Sequence, residues 1–166
     1  MKVPTKEECV KILRGSNVPE NIIAHTSAVS EFAGKICDFL NKKGIKVNKK
    51  LVLAGALLHD IKKLEPDHEI KGSEYIKSIG YVEVSNLIRK HGLSNLDKED
   101  CIPKTWEEKI VFYSDKRLNG SKVVSVEERF DYIRKRYNKP EVEEEYRFSK
   151  RIEKEIFGDF DFRDFK

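Results

Sequence analysis

Residues 51–63, LVLAGALLHDIKK, restrict the fold more than any other part of the chain. The stretch begins as a nearly continuous apolar run and ends with His59 and Asp60 side by side, followed by two lysines. Asn48 lies before this run and Pro66 after it. An apolar run of this length with such boundaries predicts a buried helix. The run is too short to span a bilayer. A helix that is apolar on all sides belongs in the centre of a bundle. A histidine and an aspartate at its inner end need a partner or a metal ion, because an unpaired buried charge is costly.

The composition is typical of one helical domain with a charged surface. The 166 residues suit a single core, and 39% of them are hydrophobic while 37% are charged. The formal net charge of +4 is spread among interspersed acids and bases. This mild excess does not indicate a nucleic-acid-binding protein, but it fits a site that receives small anions.

The N-terminal sequence and the cysteines predict a cytoplasmic protein. MKVPTKEECVKILRG lacks the apolar core of a signal peptide, and no segment is long enough to be transmembrane. Cys9, Cys37 and Cys101 are widely spaced and form no CxxC motif, so we interpret them as reduced thiols rather than disulfide partners or zinc ligands.

Start and stop signals divide the chain into seven or eight helices. Capping boxes predict three helix starts: Thr5 with Glu8, Thr105 with Glu108, and Ser125 with Glu128. Pro19 can occupy the first turn of a helix that ends at Gly44. Further helices are predicted over residues 51–63, 68–80, 82–91 and 142–157, with a loop over 92–104 and a break at Pro140. The tail GDFDFRDFK is either a docked aromatic segment or a frayed end. Without strand alternation or repeats, the prediction is all-α and one domain.

Each of the four histidines lies on an apolar stripe of its predicted helix. His59 ends the central apolar run. His25 shares a helix face with Val29, Phe32, Ala33, Ile36 and Leu40, and His68 shares one with Gly72, Tyr75, Ile76 and Ile79. His91 continues the face of Val84, Leu87 and Ile88, and Asp115 continues that of Val111 and Leu118 in the same way. A single histidine on such a face is more often a satisfied core residue than a ligand. Several imidazoles and two carboxylates converging on one core would stay unsatisfied unless a cation lay between them. A divalent metal meets that need, because neutral imidazole and carboxylate are its ligands.

The order of these residues resembles the HD superfamily of metal-dependent phosphohydrolases. The hallmark series appears as His25 in AHTSAV, His59 and Asp60 in ALLHDIKK, and Asp115 in VFYSDKRL. His68 in HEIKG and His91 in IRKHG match a subgroup with a second metal. The resemblance covers about residues 20 to 140. It implies that residues 1–166 form a single HD-type helical bundle, with a C-terminal helix and tail at 141–166. Lys62 stands where many relatives have glycine, which departs from the family pattern without disfavouring a helix.

The resemblance also implies two groups of metal ligands. The first metal would be held by His25, His59, Asp60 and Asp115, and the second by His68 and His91, with Asp60 bridging. Two cations about 3.5–4 Å apart can hold the attacking and leaving oxygens of an in-line displacement and lower the pKa of a bound water. Nitrogen and oxygen ligands suit iron, manganese, cobalt, nickel or zinc, and the number of ligands favours iron or manganese. The catalytic candidates are Asp60 and Lys63, the latter as a phosphate contact.

Other cations are weaker candidates for phosphate contacts. These are Lys62, Arg89, Lys116 and Arg117, which are equally well explained as ordinary cations at helix ends. Arg129 is expected to tie helices together, and Trp106 to anchor the core.

The favoured function is hydrolysis of a phosphate ester or anhydride in a small nucleotide. A nucleoside monophosphatase, a phosphodiesterase and a dinucleoside polyphosphate hydrolase all stay open. The main alternative is a non-hydrolytic metal- or nucleotide-binding regulatory module, and oxygen-activating di-iron chemistry is a remote one. Acidic residues interspersed at 127–145 argue against nucleic acid as a partner. The expected partner is a small phosphorylated substrate, without a membrane, and homo-oligomerisation stays open.

Overall fold

The helices of the computed structural model, which describes residues 1–138, 142–160 and 165, follow the start and stop signals closely. Eight α-helices lie along the described chain: α1 Lys6–Gly15, α2 Glu20–Lys42, α3 Lys49–Leu58, α4 His68–Ser78, α5 Val82–Arg89, α6 Trp106–Asp115, α7 Val126–Tyr137 and α8 Glu143–Phe157. The other regular elements described are a short 3-10 helix, Glu99–Cys101, and two strands, β1 Leu118–Asn119 and β2 Lys122–Val123. The prediction of an all-α bundle is confirmed.

All three predicted capping boxes are formed. In each, the cap side chain accepts a hydrogen bond from the backbone N–H of the glutamate, whose carboxylate accepts one from the cap N–H: Thr5 with Glu8, Thr105 with Glu108, and Ser125 with Glu128. These bonds satisfy N–H groups that a helix start leaves unpaired. Pro19 lies at the cap position just before α2, and the Asn48 side chain caps α3. Local sequence therefore determines where five of the helices begin.

Helix α3 lies at the centre of the bundle, in contact with α1, α2, α5 and α6. Most of its side chains are buried, from Leu51 to Leu58. At Gly55, an added Cβ would lie 2.7 Å from Cδ2 of Leu87 on α5. The glycine therefore lets the two helices approach more closely than a larger residue would allow. Trp106 is partly buried against the same core, as expected.

The central helix ends earlier than predicted. It stops at Leu58 rather than at Lys63, and His59 is its C-cap residue. Beyond it, the Ile61 N–H donates to the Leu58 carbonyl and the Lys63 N–H to the Asp60 carbonyl. These bonds span three residues instead of four, so the backbone tightens into successive turns. The His-Asp pair is thus presented by the helix end and the turns after it.

A short β-hairpin between α6 and α7, with two residues in each strand, was not predicted from the sequence. Leu118 pairs with Val123 and Asn119 with Lys122 in antiparallel register, and Gly120 in the turn has a φ of +59°. Strands this short give no detectable alternation. The hairpin matters because the Gly120 carbonyl reaches His25.

The C-terminal helix α8 is fixed to α6 by a buried polar network. The Tyr113 hydroxyl donates to Glu153 Oε2 at 2.7 Å, and Arg117 donates to the same hydroxyl at 2.7 Å. Arg117 also donates to the Phe165 carbonyl at 3.3 Å, and the Phe165 ring contacts that of Phe157. Arg117 therefore joins α6 to the C-terminal part of the chain. The predicted break at Pro140 and the rest of the tail, apart from residues 158–160 and 165, lie outside the described residues.

Among the residues that the structure describes, no helix has both the length and the apolar character needed to cross a bilayer.

Candidate metal centre

The structure brings all six predicted metal ligands together where several helices end. His25 lies inside α2. The other five lie at or just beyond helix ends: His59 and Asp60 after α3, His68 at the start of α4, His91 after α5 and Asp115 at the end of α6. The site therefore depends on how the bundle packs rather than on any single helix.

The first group consists of His25 and His59, whose rings lie beside one oxygen of Asp115 and one oxygen of Asp60. His25 Nε2 lies 3.1 Å from Asp115 Oδ1, and His59 Nε2 lies 3.5 Å from the same oxygen. These two nitrogens lie 3.9 Å and 3.5 Å from Asp60 Oδ2. Ligand atoms of His25, His59 and Asp115 are all within 4.8 Å of one another. This spacing can accommodate one cation.

The second group surrounds the other oxygen of Asp60. Asp60 Oδ1 lies 3.3 Å from His68 Nε2 and 3.4 Å from His91 Nε2. Ligand atoms of His59, Asp60 and His91 also lie within 4.8 Å of one another. Each oxygen of the Asp60 carboxylate thus faces a different pair of imidazoles.

Backbone carbonyls determine which nitrogen of three rings points into the site. Nδ1 of His25 donates to the Gly120 carbonyl at 2.7 Å, and Nδ1 of His59 donates to the Ala56 carbonyl at 2.7 Å. Nδ1 of His91 donates to the Ile88 carbonyl at 2.6 Å. A neutral ring that donates from Nδ1 presents a lone pair at Nε2, as metal-binding histidines do.

His59 Nε2 is buried and has no hydrogen-bond partner among the described residues. The carboxylate oxygens nearest to it are also acceptors, so the contact needs a cation or a proton between the groups. A set of imidazole nitrogens and carboxylate oxygens without thiolate fits a divalent metal.

The electrostatics of the site favour the ionised carboxylates and the neutral His91 that metal binding requires. Burial opposes protonation of His25, but the hydrogen bond and charge of Asp115 outweigh it and raise the pKa of this histidine. Burial alone would raise the pKa of Asp60, but the neighbouring imidazoles and Lys63 hold it well below its usual range. Burial also opposes ionisation of Asp115, yet Lys116 and the adjacent histidines keep its pKa well below the usual range. Burial lowers the pKa of His91 to about 4. Both carboxylates are thus ionised and His91 is neutral at neutral pH, as metal ligands must be.

Two lysines contact the carboxylates of the site. Lys63 Nζ lies 3.2 Å and 3.1 Å from the two oxygens of Asp60, and its side chain is partly exposed. Lys116 is buried and donates to Asp115 Oδ2 and to the His91 carbonyl. Among the weaker phosphate-contact candidates, Lys116 alone lies at the site: Lys62 pairs with Glu65, Arg89 pairs with Asp100, and Arg117 is part of the α6–α8 network.

A cleft of about 730 Å³ opens onto these residues. It reaches His68, His91 and Asp115 at one part and side chains of α7 at another. Arg129 lines it, although we expected this residue to tie helices together. Its guanidinium lies 5.6 Å from the ring centroid of Tyr132 on the same helix, and its Nε has no hydrogen-bond partner among the described residues. The spacing of Arg129, Ile133 and Tyr137 at every fourth position was the available sequence signal.

Glu69 is a second residue that the sequence did not single out. It is buried, and its Oε2 lies 3.5 Å from Nδ1 of His68, the nitrogen that faces away from Asp60. A Cβ added at Gly92 would lie 2.0 Å from Glu69 Oε1, so only glycine leaves room for this carboxylate. Glu69 therefore lies beside the outer nitrogen of His68, where the other three histidines have a backbone carbonyl, but at a longer distance than those hydrogen bonds.

Comparisons with known proteins find a matching family model and several relatives. A family model described as HD domain matches residues 22–120, a range that includes all six predicted ligands. An uncharacterised protein of Methanocaldococcus jannaschii is 32% identical over 147 residues, covering 80% of this chain and 86% of the relative.

Two tRNA (cytidine(56)-2'-O)-methyltransferases also match. The one from Picrophilus torridus is 28% identical and that from Thermoplasma volcanium 27% identical, over 78% and 81% of this chain. The matched part amounts to 40% and 42% of their own lengths, so each is much longer than the shared segment. No solved structure matches.

Proposed function

Because the chain belongs to the HD domain family, we propose that it is a metal-dependent phosphohydrolase acting on a phosphate ester or anhydride of a small nucleotide. The observation that carries this proposal is the position of Asp60, whose two oxygens face separate pairs of imidazoles. The buried, unpartnered Nε2 of His59 supports it further. The proposed metal ligands are His25, His59, Asp60, His68, His91 and Asp115.

Bound divalent cations supply a water of lowered pKa and positive charge that stabilises phosphoryl oxygens in the transition state. Iron or manganese is our preferred metal, and cobalt, nickel and zinc suit the same donors. Asp60 bridges the two halves of the site and so holds them in register. Lys63, three residues further along, contacts a phosphate oxygen of the substrate. Lys116 keeps Asp115 ionised and oriented.

The size of the cleft and the cations in its lining are compatible with a small anionic substrate. A volume of about 730 Å³ lies within the usual range of small-molecule sites, which is about 300–1,000 Å³. Its lining includes Lys63, Lys116 and Arg129. We further propose that residues 1–166 act as one HD domain in the cytoplasm. The free, buried state of all three cysteines supports a reducing compartment.

The relatives favour a second candidate substrate, a phosphate group in RNA. Two of them are named as tRNA methyltransferases, and this chain matches less than half of each. The interspersed acids on the surface count against an extended RNA-binding face. A steep loss of RNA affinity with rising salt, together with RNA hydrolysis, would favour this substrate over a mononucleotide. Saturable nucleotide binding without turnover under every metal would instead favour a regulatory module.

The decisive experiment is a panel of phosphomonoesters, phosphodiesters and dinucleoside polyphosphates assayed with each divalent ion beside Asp60→Ala. We expect turnover in the parent and none in the variant, with the circular dichroism spectrum unchanged. Asp38→Ala is the matched control, because Asp38 is an exposed carboxylate on α2 whose only described ion pair, with Lys49, lies at the surface. Equal activity in Asp60→Ala and the parent would refute the proposal.

A further inference from the structure

The α7 wall of the cleft, consisting of Arg129, Ile133 and Tyr137, is not explained by metal binding. The three residues are four positions apart, so they share one helix face, and all three line the cleft. None is a proposed metal ligand. The wall joins the cleft that reaches the metal ligands, so a molecule bound at the metals can also contact α7.

Among the described residues, Arg129 is the one cation lining the cleft without a carboxylate partner. Lys63 is paired with Asp60 and Lys116 with Asp115. Glu69 and Glu145 also line the cleft, yet within the described part of the chain neither forms an ion pair with Arg129. Its Nε is buried and lacks a described hydrogen-bond partner, an arrangement that costs free energy unless a ligand completes it. A guanidinium presents paired N–H groups that match two oxygens of a phosphate.

The remainder of the wall suits a planar ring. Ile133 is buried and Tyr137 is 60% exposed, and Leu93 and Val142 add apolar surface to the same cleft. An aromatic ring at the edge of a cleft can stack on a nucleobase, since every base has a π face. The wall therefore combines one anion-binding group with an apolar surface of the kind that bases contact.

We propose that the α7 wall is the substrate-recognition subsite, in which Arg129 binds the phosphate of a mononucleotide and Tyr137 stacks on its base. This rests on the proposed function and narrows the substrate class to mononucleotides. The subsite contacts the phosphate and the base from the side of α7 and adds no chemical step. Hydrolysis of that same phosphate would take place at the metals.

The test compares binding of two probes to manganese-loaded protein by isothermal titration calorimetry. The probes are inorganic phosphate and the tightest binder among non-hydrolysable phosphonate analogues of AMP, CMP, GMP and UMP. Arg129→Ala should weaken both by roughly 10- to 150-fold, the loss of a hydrogen bond to a charged group. Arg129→Lys should fall between it and the parent, because lysine keeps the charge but not the paired geometry.

Tyr137 should affect the base alone. Tyr137→Ala should weaken the nucleotide analogue by about fivefold or more and leave inorganic phosphate unchanged, while Tyr137→Phe should bind like the parent. Arg136→Ala is the matched control, because Arg136 is an exposed arginine on the same helix outside the cleft. Bound manganese should be equal in all variants, which separates recognition from damage to the metal site.

Parent-like phosphate binding in Arg129→Ala, or equal weakening of both probes in Tyr137→Ala, would overturn the subsite. Tighter binding of an RNA oligonucleotide than of every mononucleotide analogue would overturn the substrate class. A parent that hydrolyses phosphate esters while Arg129→Ala behaves identically refutes the subsite alone. A parent that neither binds nor hydrolyses any of these compounds refutes the proposed function as well.

Discussion

Gly55→Ala tests how closely the central helix α3 must approach α5. An added Cβ would lie 2.7 Å from Cδ2 of Leu87, 3.1 Å from its Cβ and 3.4 Å from its Cγ. Leu87 is buried, so its side chain has little room to move away. Something in the contact must shift, and α5 leads directly into the proposed ligand His91.

Two opposing effects determine the size of the change. Alanine gains about 1 kcal/mol over glycine in a helix interior. Overpacking a close-packed core costs about 1–3 kcal/mol. Gly15→Ala is the comparison without a contact, because nothing lies within 4 Å of the added Cβ; as the last residue of α1, it should show the same gain at reduced size. The contact at Gly55 should therefore make Gly55→Ala less stable than Gly15→Ala by about 1–3 kcal/mol.

Urea unfolding of the metal-free proteins, followed by circular dichroism, measures this difference directly. Gly55→Ala should also bind the second metal more weakly than the parent, since α5 shifts with its ligand. If Gly55→Ala is stabilised as much as Gly15→Ala, the two helices are not in close contact at this point and the packing that positions His91 is wrong.

Two further predictions concern buried ionisable groups away from the metals. Glu108→Ala should destabilise the metal-free protein by about 1–3 kcal/mol, because the buried carboxylate caps α6 and pairs with Lys90; the exposed Glu74→Ala on α4 is the control, and equal unfolding midpoints would contradict this. Burial opposes the ionisation of Glu108, but Lys90 and backbone N–H groups lower its pKa below the usual 4.5. The stabilisation that Glu108 gives the folded protein should therefore be complete above its unfolded-state pKa of 4.5. It should disappear as the pH falls through the lower folded-state pKa. Burial raises the pKa of Cys9 and Cys37 to about 12. Iodoacetamide at pH 8 should therefore leave both thiols unmodified in the native protein and label them in urea. Equal labelling of native and unfolded protein, measured by mass spectrometry, would contradict their burial.

Local signals made most of the fold predictable. Capping boxes such as Thr105 with Glu108 depend on residues three apart, so the sequence alone locates the helix starts. The apolar stripes located the histidines, because period and burial are linked in any amphipathic helix. The end of α3 was less predictable. The apolar run gives no sign that the backbone changes to tighter turns at His59.

Residues defined by their tertiary partners could not be predicted in this way. Arg129 lines the cleft, without a carboxylate partner among the described residues, because of how α7 packs against the rest of the bundle. Glu69 faces His68 only because Gly92, more than twenty residues away, leaves space for it. The carbonyl that orients His25 comes from Gly120 in a hairpin too short to leave a sequence pattern. In each case the information lies in contacts between distant parts of the chain.

Metal content tests the shared role of Asp60 most directly. Metal-free parent, Asp60→Ala and His91→Ala would be loaded anaerobically with iron(II) or manganese(II), desalted and measured by elemental mass spectrometry, with circular dichroism as the check on folding. We predict two ions per chain in the parent, one in His91→Ala and none retained in folded Asp60→Ala. A folded Asp60→Ala protein that keeps as many ions as the parent, or a parent that retains none, would contradict the proposed metal centre.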